Sequence, residues 1–352
     1  MRIVVIGTTG NHGIALLRDL SAQSAVTAIT GVARRQPELE MPKTEWRAAD
    51  IVSDDLGTLF AGADAVVHLA WAIQPSRDRE QTRAINVEGS ARVFAAAAHA
   101  GVGALVHASS IGAYSPGPHD PRVDERWPTE GIASSFYSVD KVAAERALDA
   151  VEAAHPALRV VRLRPALVFQ RGAAEEIRRL FAGPFLPGRL LRPGVVPFVP
   201  DVRGVCFQAV HSADLAQAYR LAVLNPDARG AYNVAAEPPL DLRTIARRLK
   251  ALPIPVPAGL VRAAAAVTWR ARLQPTPPGW LDLAVQSPLM DTTRIREELG
   301  WNPERTAVQA LDDLLEGLRD GAGENTPPLA AGEEAPGRAH EVRTGVGTRP
   351  GL

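Results

Sequence analysis

Tyr137 and Lys141, four positions apart in "SSFYSVDKVAAER" (134–146), are the pair in this chain best suited to moving a proton. A free phenol titrates at ~10 and is a poor acid–base catalyst at neutral pH. A neighbouring ammonium favours the phenolate and lowers that value. Positions i and i+4 share a helix face, so Lys141 could bias Tyr137 and still reach a ribose hydroxyl of a bound dinucleotide. Ser109 and Ser110 close the strand-like "GALVHASS" and offer hydroxyls to hold a substrate oxygen. The C-terminal ends of strands are where open α/β sheets bind ligands. Taken alone, Y-x-x-x-K recurs by chance on surface helices, so its surroundings must decide.

A second chemical feature opens the chain. "VIGTTGNHGIALL" sets Gly7, Gly10 and Gly13 between a strand and a helix, with Asn11 and His12 at the helix entrance. A tight turn there lets backbone approach a pyrophosphate, and the helix N-terminus offers free N–H groups and a positive dipole end. The spacing is G-x-x-G-x-x-G rather than G-x-G-x-x-G, which is weak by itself and stronger at the first strand of an alternating chain. At the end of the second strand "GVARRQP" carries Arg34 and Arg35 and no acid until Glu38. An acid there suits the 2′-hydroxyl of NAD and an arginine the 2′-phosphate of NADP, so NADP is expected, with NAD the alternative. Asp50, after the third strand, could bond the adenine amine or simply cap a turn.

These residues need a frame to hold them. "RIVVIG", "VTAITGVA", "AVVHLAW", "GALVHASS" and "LRVVRLRP" are nearly continuous apolar runs, separated by helical stretches such as "GIALLRDLSAQ" and "NVEGSARVFAAAAHAG". That alternation predicts a parallel sheet covered on both faces. Beyond Pro165 two proline-rich stretches interrupt the pattern. The expected organisation is a nucleotide-binding unit (1–165 with 205–235), a smaller C-terminal substrate-binding domain (166–204 with 236–318) and a disordered tail (319–352). From Asp320 onward there is no aromatic residue and no isoleucine, too little apolar surface to offset ordering entropy.

The ordered set "GTTGNHG", "ADI", "VVHLAW", "NVEGS", "HASSIGAY", "YSVDK", "VVRLRPALVF", "VHSADLAQA", "YNVA" and "LGWNP" resembles the extended short-chain dehydrogenase/reductases of the NAD(P)-dependent epimerase/dehydratase type, from residue 1 to about 318. The resemblance implies a Rossmann-type doubly wound parallel sheet. It implies that Gly7, Gly10 and Gly13 hold the pyrophosphate, Arg34 the 2′-phosphate, and Asp50 and Ile51 the adenine. Leu69 and Ala70 would line the adenosine side, and Asn86 would sit near the active-site helix. Ser110 matches the catalytic serine with Ser109 in support, Tyr137 the acid/base and Lys141 its partner. Pro165 to Val168 would pass the nicotinamide. Ser212 is expected as a helix N-cap with Asp214 in the first turn, neither of them catalytic. Family members often dimerise through helices equivalent to 84–100 and 136–153, which makes a homodimer an expectation by analogy.

Three departures weaken a sugar-nucleotide substrate: Arg164 stands where such members often have Asn, Arg203 lies further back than the usual diphosphate arginine, and Phe169-Gln170-Arg171 replaces a G-x-G. Trp71 could wall the substrate pocket or merely pack. Arginines 171, 178, 179, 189, 192 and 203 are expected mostly as solvated charges.

The 352 residues are 46% hydrophobic and 22% charged with zero formal net charge, a globular composition that gives nucleic acid no bulk attraction. The single cysteine, Cys206, excludes an intrachain disulfide. "IVVIG" breaks too early for a leader's apolar core of ~7–15 residues, and no run approaches the ~20 of a membrane span; the expected location is cytoplasmic. No H-E-x-x-H, paired C-x-x-C, G-x-S-x-G or P-loop lysine is present, and no metal site is expected. The leading reading is an NADP-dependent oxidoreductase acting on a small carbonyl or secondary alcohol. The second is a nucleotide-sugar epimerase or dehydratase with tightly held NAD. The third is a non-catalytic NADP-sensing protein.

Overall fold

The computed structural model describes residues 1–74, 76–183, 188 and 191–331. Twelve strands form among them: β1 (Arg2–Ile6), β2 (Ala28–Ala33), β3 (Thr44–Ala48), β4 (Ala65–His68), β5 (Ala104–Ala108), β6 (Arg159–Pro165), β7 (Leu167–Phe169), β8 (Phe198–Val202), β9 (Cys206–His211), β10 (Gly230–Val234), β11 (Ala236–Asp241) and β12 (Leu252–Val256). The helices are α1 (Asn11–Ala22), α2 (Gly57–Phe60), α3 (Arg79–Arg83), α4 (Ser90–His99), α5 (Phe136–Ala154), α6 (Ala174–Ile177), α7 (Ser212–Leu224), α8 (Leu242–Leu249), α9 (Ala258–Arg270), α10 (Gly279–Gln286), α11 (Thr293–Leu299) and α12 (Ala307–Asp320). A wider π-helical turn, Ala84–Gly89, joins α3 to α4. No helix of the described residues is long and apolar enough to cross a membrane.

Seven strands form one parallel sheet in the order β10-β6-β5-β4-β1-β2-β3, the doubly wound Rossmann-type arrangement expected. Every residue of β4, β5 and β6 is buried, which is why those runs are apolar without alternation. Side chains alternate between the two faces. Ile3 and Val5 join Leu16, Leu20, Tyr219 and Trp301 on one side, and Val4 and Ile6 join Phe94 and Leu148 on the other. Strand order reverses between β1 and β4, so the crevice at their C-terminal ends is where such a sheet receives ligands.

A second, smaller body carries a three-stranded sheet, β11-β9-β7, and a two-stranded one, β12-β8. Leu311, Leu314 and Leu318 of α12 pack there with Phe169 and Leu240. Three expectations change. β9 was expected with the nucleotide-binding sheet, but it pairs with β7 and β11 instead. Residues near 300 were expected in the substrate domain, yet Ile295, Leu299 and Trp301 lie in the core of the main sheet. The tail expected to be disordered from 319 is ordered in its first part. α12 runs on through Asp320, and Leu329, fully buried, packs with Ile14 and Ala173. One well-placed leucine anchors what average composition would leave loose. Residues 332–352 of that expected tail lie outside the described residues.

Candidate active site

Gly7 follows β1 with φ +83°, a left-handed backbone that favours glycine, and a Cβ there would stand 2.6 Å from the Ala70 nitrogen. Gly13 is equally constrained: its Cβ would meet the Gly7 oxygen at 2.4 Å. Gly10 is different. A Cβ there would come no closer than 3.8 Å to the chain, so packing does not require glycine at that position. The bare position faces the start of α1, which has neither a side-chain cap nor an acid in its first turn. Its unsatisfied N–H groups and dipole suit an anion, and a bare glycine allows a pyrophosphate to approach closely. The turn therefore fits the dinucleotide expected.

The side chains around that turn divide their labour. Asn11 is turned inward: its amide donates to the Val168 carbonyl at 3.1 Å and accepts from Gln170 and Ser212. It binds the turn to β7 and α7, so both Asn11 and Val168 have structural partners where cofactor contacts were expected. His12 is half-buried and held neutral, its pKa pushed down to about 4 by burial and then by Lys141. That coupling links the first turn of α1 with the start of α5, where Lys141 lies. Leu69 donates its N–H to Ile6, which keeps the β4 end against β1. Pro165 ends β6 beside Val234. Asp50 caps its own loop through the Val52 N–H at 2.8 Å, and Ile51 is buried against Gly89. Arg34 is exposed. Arg35 is more enclosed, and its pKa is lowered by burial and by the nearby Arg34 and Arg179 guanidiniums. Arg179, expected as solvated, thus joins the two arginines after β2.

At the end of β5, Ser110 accepts from the Gly112 N–H at 3.0 Å, and its hydroxyl lies with the Tyr137 ring against Gly112. The Tyr137 ring lies against Gly112, where a Cβ would be 2.9 Å from its Cε1. Gly112 lies within "SSIGAY", whose spacing alone does not mark it as a contact of Tyr137. Ser109 points elsewhere and donates to Glu145 on α5. Glu145, two turns beyond Tyr137, is clamped by Arg164 through Nε at 2.9 Å and a second nitrogen at 2.6 Å. Arg164 also reaches the Tyr114 hydroxyl at 3.1 Å. Arg164 is therefore engaged inside the protein and is not a free cation in the pocket.

Lys141 departs from its expected part. Its ammonium donates to the Ala108 carbonyl at 2.8 Å and sits 3.4 Å from the centroid of the Trp71 ring. Burial lowers its pKa to about 7, against the pull of Glu145 and Asp140. The Tyr137 pKa is raised to about 12 by burial, with Ser110 offsetting part of the rise. Burial thus outweighs the lowering of the phenol expected from Lys141.

Trp71 is placed by Asn86, whose side chain holds both the N–H and the carbonyl of Ala72, at 2.7 and 2.9 Å. Asn86 also reaches Asp140, which is paired with Arg79. Trp280 from α10 lies 4.9 Å from the Tyr137 ring, and Phe181 lies 4.9 Å from Trp280. The proton-bearing tyrosine is therefore walled by aromatics from both parts of the chain. Arg178 pairs with Glu175 and Arg171 with Asp320, Arg192 and Arg203 are exposed, and Arg189 lies outside the described residues. The expected N-cap at Ser212 is instead His211, whose imidazole accepts from the Ala213 N–H. Ser212 is spent on Asn11, while Asp214 accepts from the backbone of Glu304 and Arg305. Among the described residues no group of three His, Cys, Asp or Glu side chains could hold a metal.

The NAD dependent epimerase/dehydratase family matches residues 3–235. An uncharacterized protein of Mycobacterium tuberculosis, Rv2047c, is 29% identical over 321 residues, 91% of this chain and 30% of its own length. The chain thus spans under a third of that relative. A second protein of the same organism, Rv0501, is 28% identical over 88% of this chain and 81% of its own. Among solved structures, MoeE5 in complex with UDP-glucuronic acid and NAD superposes with a TM-score of 0.67 at 21% identity, covering 91% of this chain and 99% of its own. A short-chain dehydrogenase/reductase superfamily protein from Agrobacterium tumefaciens with bound NAD gives 0.68 at 21%, over 91% and 98%. At such identities the structures speak for the fold alone.

Proposed function

The chain belongs to the NAD dependent epimerase/dehydratase family of the extended short-chain dehydrogenase/reductases, and from that premise we propose that it is an NAD(P)-dependent oxidoreductase acting at a carbonyl or secondary-alcohol carbon. The observation that carries this reading is the gathering of Ser110, Tyr137 and Lys141 at the end of β5, with Ser110 and the Tyr137 ring both against Gly112 and Lys141 bonded to the Ala108 carbonyl.

The bound nicotinamide would supply the hydride in reduction and accept it in oxidation. Each remaining task falls to a side chain. The Tyr137 hydroxyl gives its proton to the substrate oxygen in reduction and takes it back in oxidation. Ser110 donates to the same oxygen and aligns it. The bare face at Gly10 and the start of α1 would receive the pyrophosphate. Lys141 must leave the Trp71 face to steady the developing phenolate, and a ribose hydroxyl offers it a new partner. Arg34 and Arg35, with Arg179 nearby, support NADP over NAD, since three guanidiniums favour an added phosphate.

The second reading, a nucleotide-sugar epimerase or dehydratase, uses the same trio and returns the hydride within one cycle. The ligands of MoeE5 support it. Arg164, held by Glu145 where nucleotide-sugar members often have Asn, supports the first reading instead.

Two experiments test the proposal. Mass analysis of nucleotide released on denaturation separates the readings: an empty protein that prefers NADPH favours the exchanging reductase, and stoichiometric NAD favours the epimerase or dehydratase. Tyr137→Phe should lower turnover by roughly 10²–10⁴-fold while the cofactor Kd holds. Retained turnover would remove Tyr137 from the chemistry.

A further inference from the structure

Residues 322–331 lie outside the span matched by the family and return to the back of the glycine turn. The buried Thr326 hydroxyl donates to the Thr9 carbonyl at 2.8 Å. Leu329 is fully buried among Ile14 of α1, Ala173 and Ile177 near α6, and Leu39 and Met41 of the β2–β3 connection. Glu324 takes both terminal nitrogens of Arg18 at 3.1 and 2.7 Å, and Arg179 donates to the Pro328 carbonyl at 2.7 Å. The segment thus ties together α1, the connection that begins with Arg34 and Arg35, and the element that bears Arg179.

From this geometry we infer that Thr326 is a positioning residue for the cofactor, and that the 322–331 segment is a working part of the dinucleotide site. It takes from the proposed function only that the glycine turn receives a pyrophosphate. The peptide between Thr9 and Gly10 is planar and trans, so its carbonyl and its N–H point in opposite directions. Anchoring the Thr9 oxygen from behind therefore fixes where the Gly10 N–H points. That N–H makes only a long 3.4 Å contact to the Gly7 oxygen within the turn. Without Thr326 the plane is free to tilt, and the anion site at the start of α1 loses its preset shape. Binding and docking are then reciprocal: dinucleotide that prefers the preset turn strengthens the hold on the segment by the same factor.

The test uses the full chain and reads NADPH and NADH binding by fluorescence, in wild type, Thr326→Val and Thr326→Ser. Valine keeps the shape and removes the hydroxyl, while Leu329 remains to hold the segment. Loss of one buried hydrogen bond should raise the better dinucleotide's Kd about three- to tenfold. Serine should restore it to within about twofold, because it keeps the donor. With a substrate in hand, cofactor KM should rise and kcat hold. Saturating NADPH should slow proteolytic cleavage within 322–331 in wild type and do so less in the valine variant. Equal affinity in wild type and Thr326→Val would overturn the inference while leaving the proposed function standing. Failure of wild type to bind either dinucleotide would overturn both.

Discussion

The Lys141 ammonium rests on the face of Trp71, 3.4 Å from the ring centroid, and stands 5.7 Å from the centroid of the Tyr137 ring. The cation is thus stabilised by an indole and the Ala108 carbonyl, with the phenol ring farther away.

Replacing Trp71 with Leu removes the π face, an interaction of about 0.5–2 kcal/mol. The Lys141 cation loses stabilisation, so its pKa should fall below about 7. On the proposed mechanism the cation steadies the phenolate, so activity should decline as pH rises through the Lys141 value. The descending limb of the kcat/KM profile should therefore move to lower pH in Trp71→Leu. An unmoved limb would mean that Trp71 does not govern the lysine.

Lys141 also costs stability. Its folded pKa, about 7, lies below its ordinary 10.5, so the folded chain binds fewer protons between those values. The penalty is fully present below about pH 7, fades as pH rises through the window, and is gone above 10.5. Lys141→Met should therefore melt several degrees higher than wild type at pH 6, with the gap closing by pH 10.5, and should be inactive. Melting curves across that range check the sign.

The Glu145–Arg164 pair is almost fully buried, with side chains 4% and 5% exposed. Removing either partner alone, as Glu145→Leu or Arg164→Met, should cost ~3–5 kcal/mol, since the other charge is left uncompensated. The double variant should recover most of that loss. Urea unfolding of the four proteins as a cycle measures the coupling. Additive losses would show that the pair is not a unit.

Gly112→Ala would put a methyl group 2.9 Å from the Tyr137 ring. The ring must shift, and a displacement of ~1 Å at a reacting group can cost ~10²-fold in rate. kcat should fall on that scale while dinucleotide affinity holds, because Gly112 lies away from the glycine turn. Unchanged kcat would show that the ring has room to yield.

The alternation of apolar runs and helices was legible because each central strand is buried on both faces, so pattern and burial coincide. "CFQAVH" has the same texture, yet β9 joins another sheet, since strand partners are set by the path of the distant chain and not by local composition. The serine, tyrosine and lysine could be found from spacing and order. The direction Lys141 takes could not, because it depends on Trp71, seventy residues earlier, and on Asn86, which places that segment. His211 displaced Ser212 as the cap because an imidazole nitrogen accepts as well as a hydroxyl, and Asn11 had already claimed the serine. The tail misled for a related reason: composition averages over a segment, whereas Glu324, Thr326, Pro328 and Leu329 hold theirs by specific contacts.

The bond between Thr9 and Thr326 spans 317 positions. At ~5–20 residues per second, a ribosome delivers the second partner many seconds after the first. During that interval the opening strand–turn–helix is complete in sequence but lacks its backing. On the inference above, a nascent chain would bind dinucleotide less tightly until Thr326 has been made and docked against Thr9.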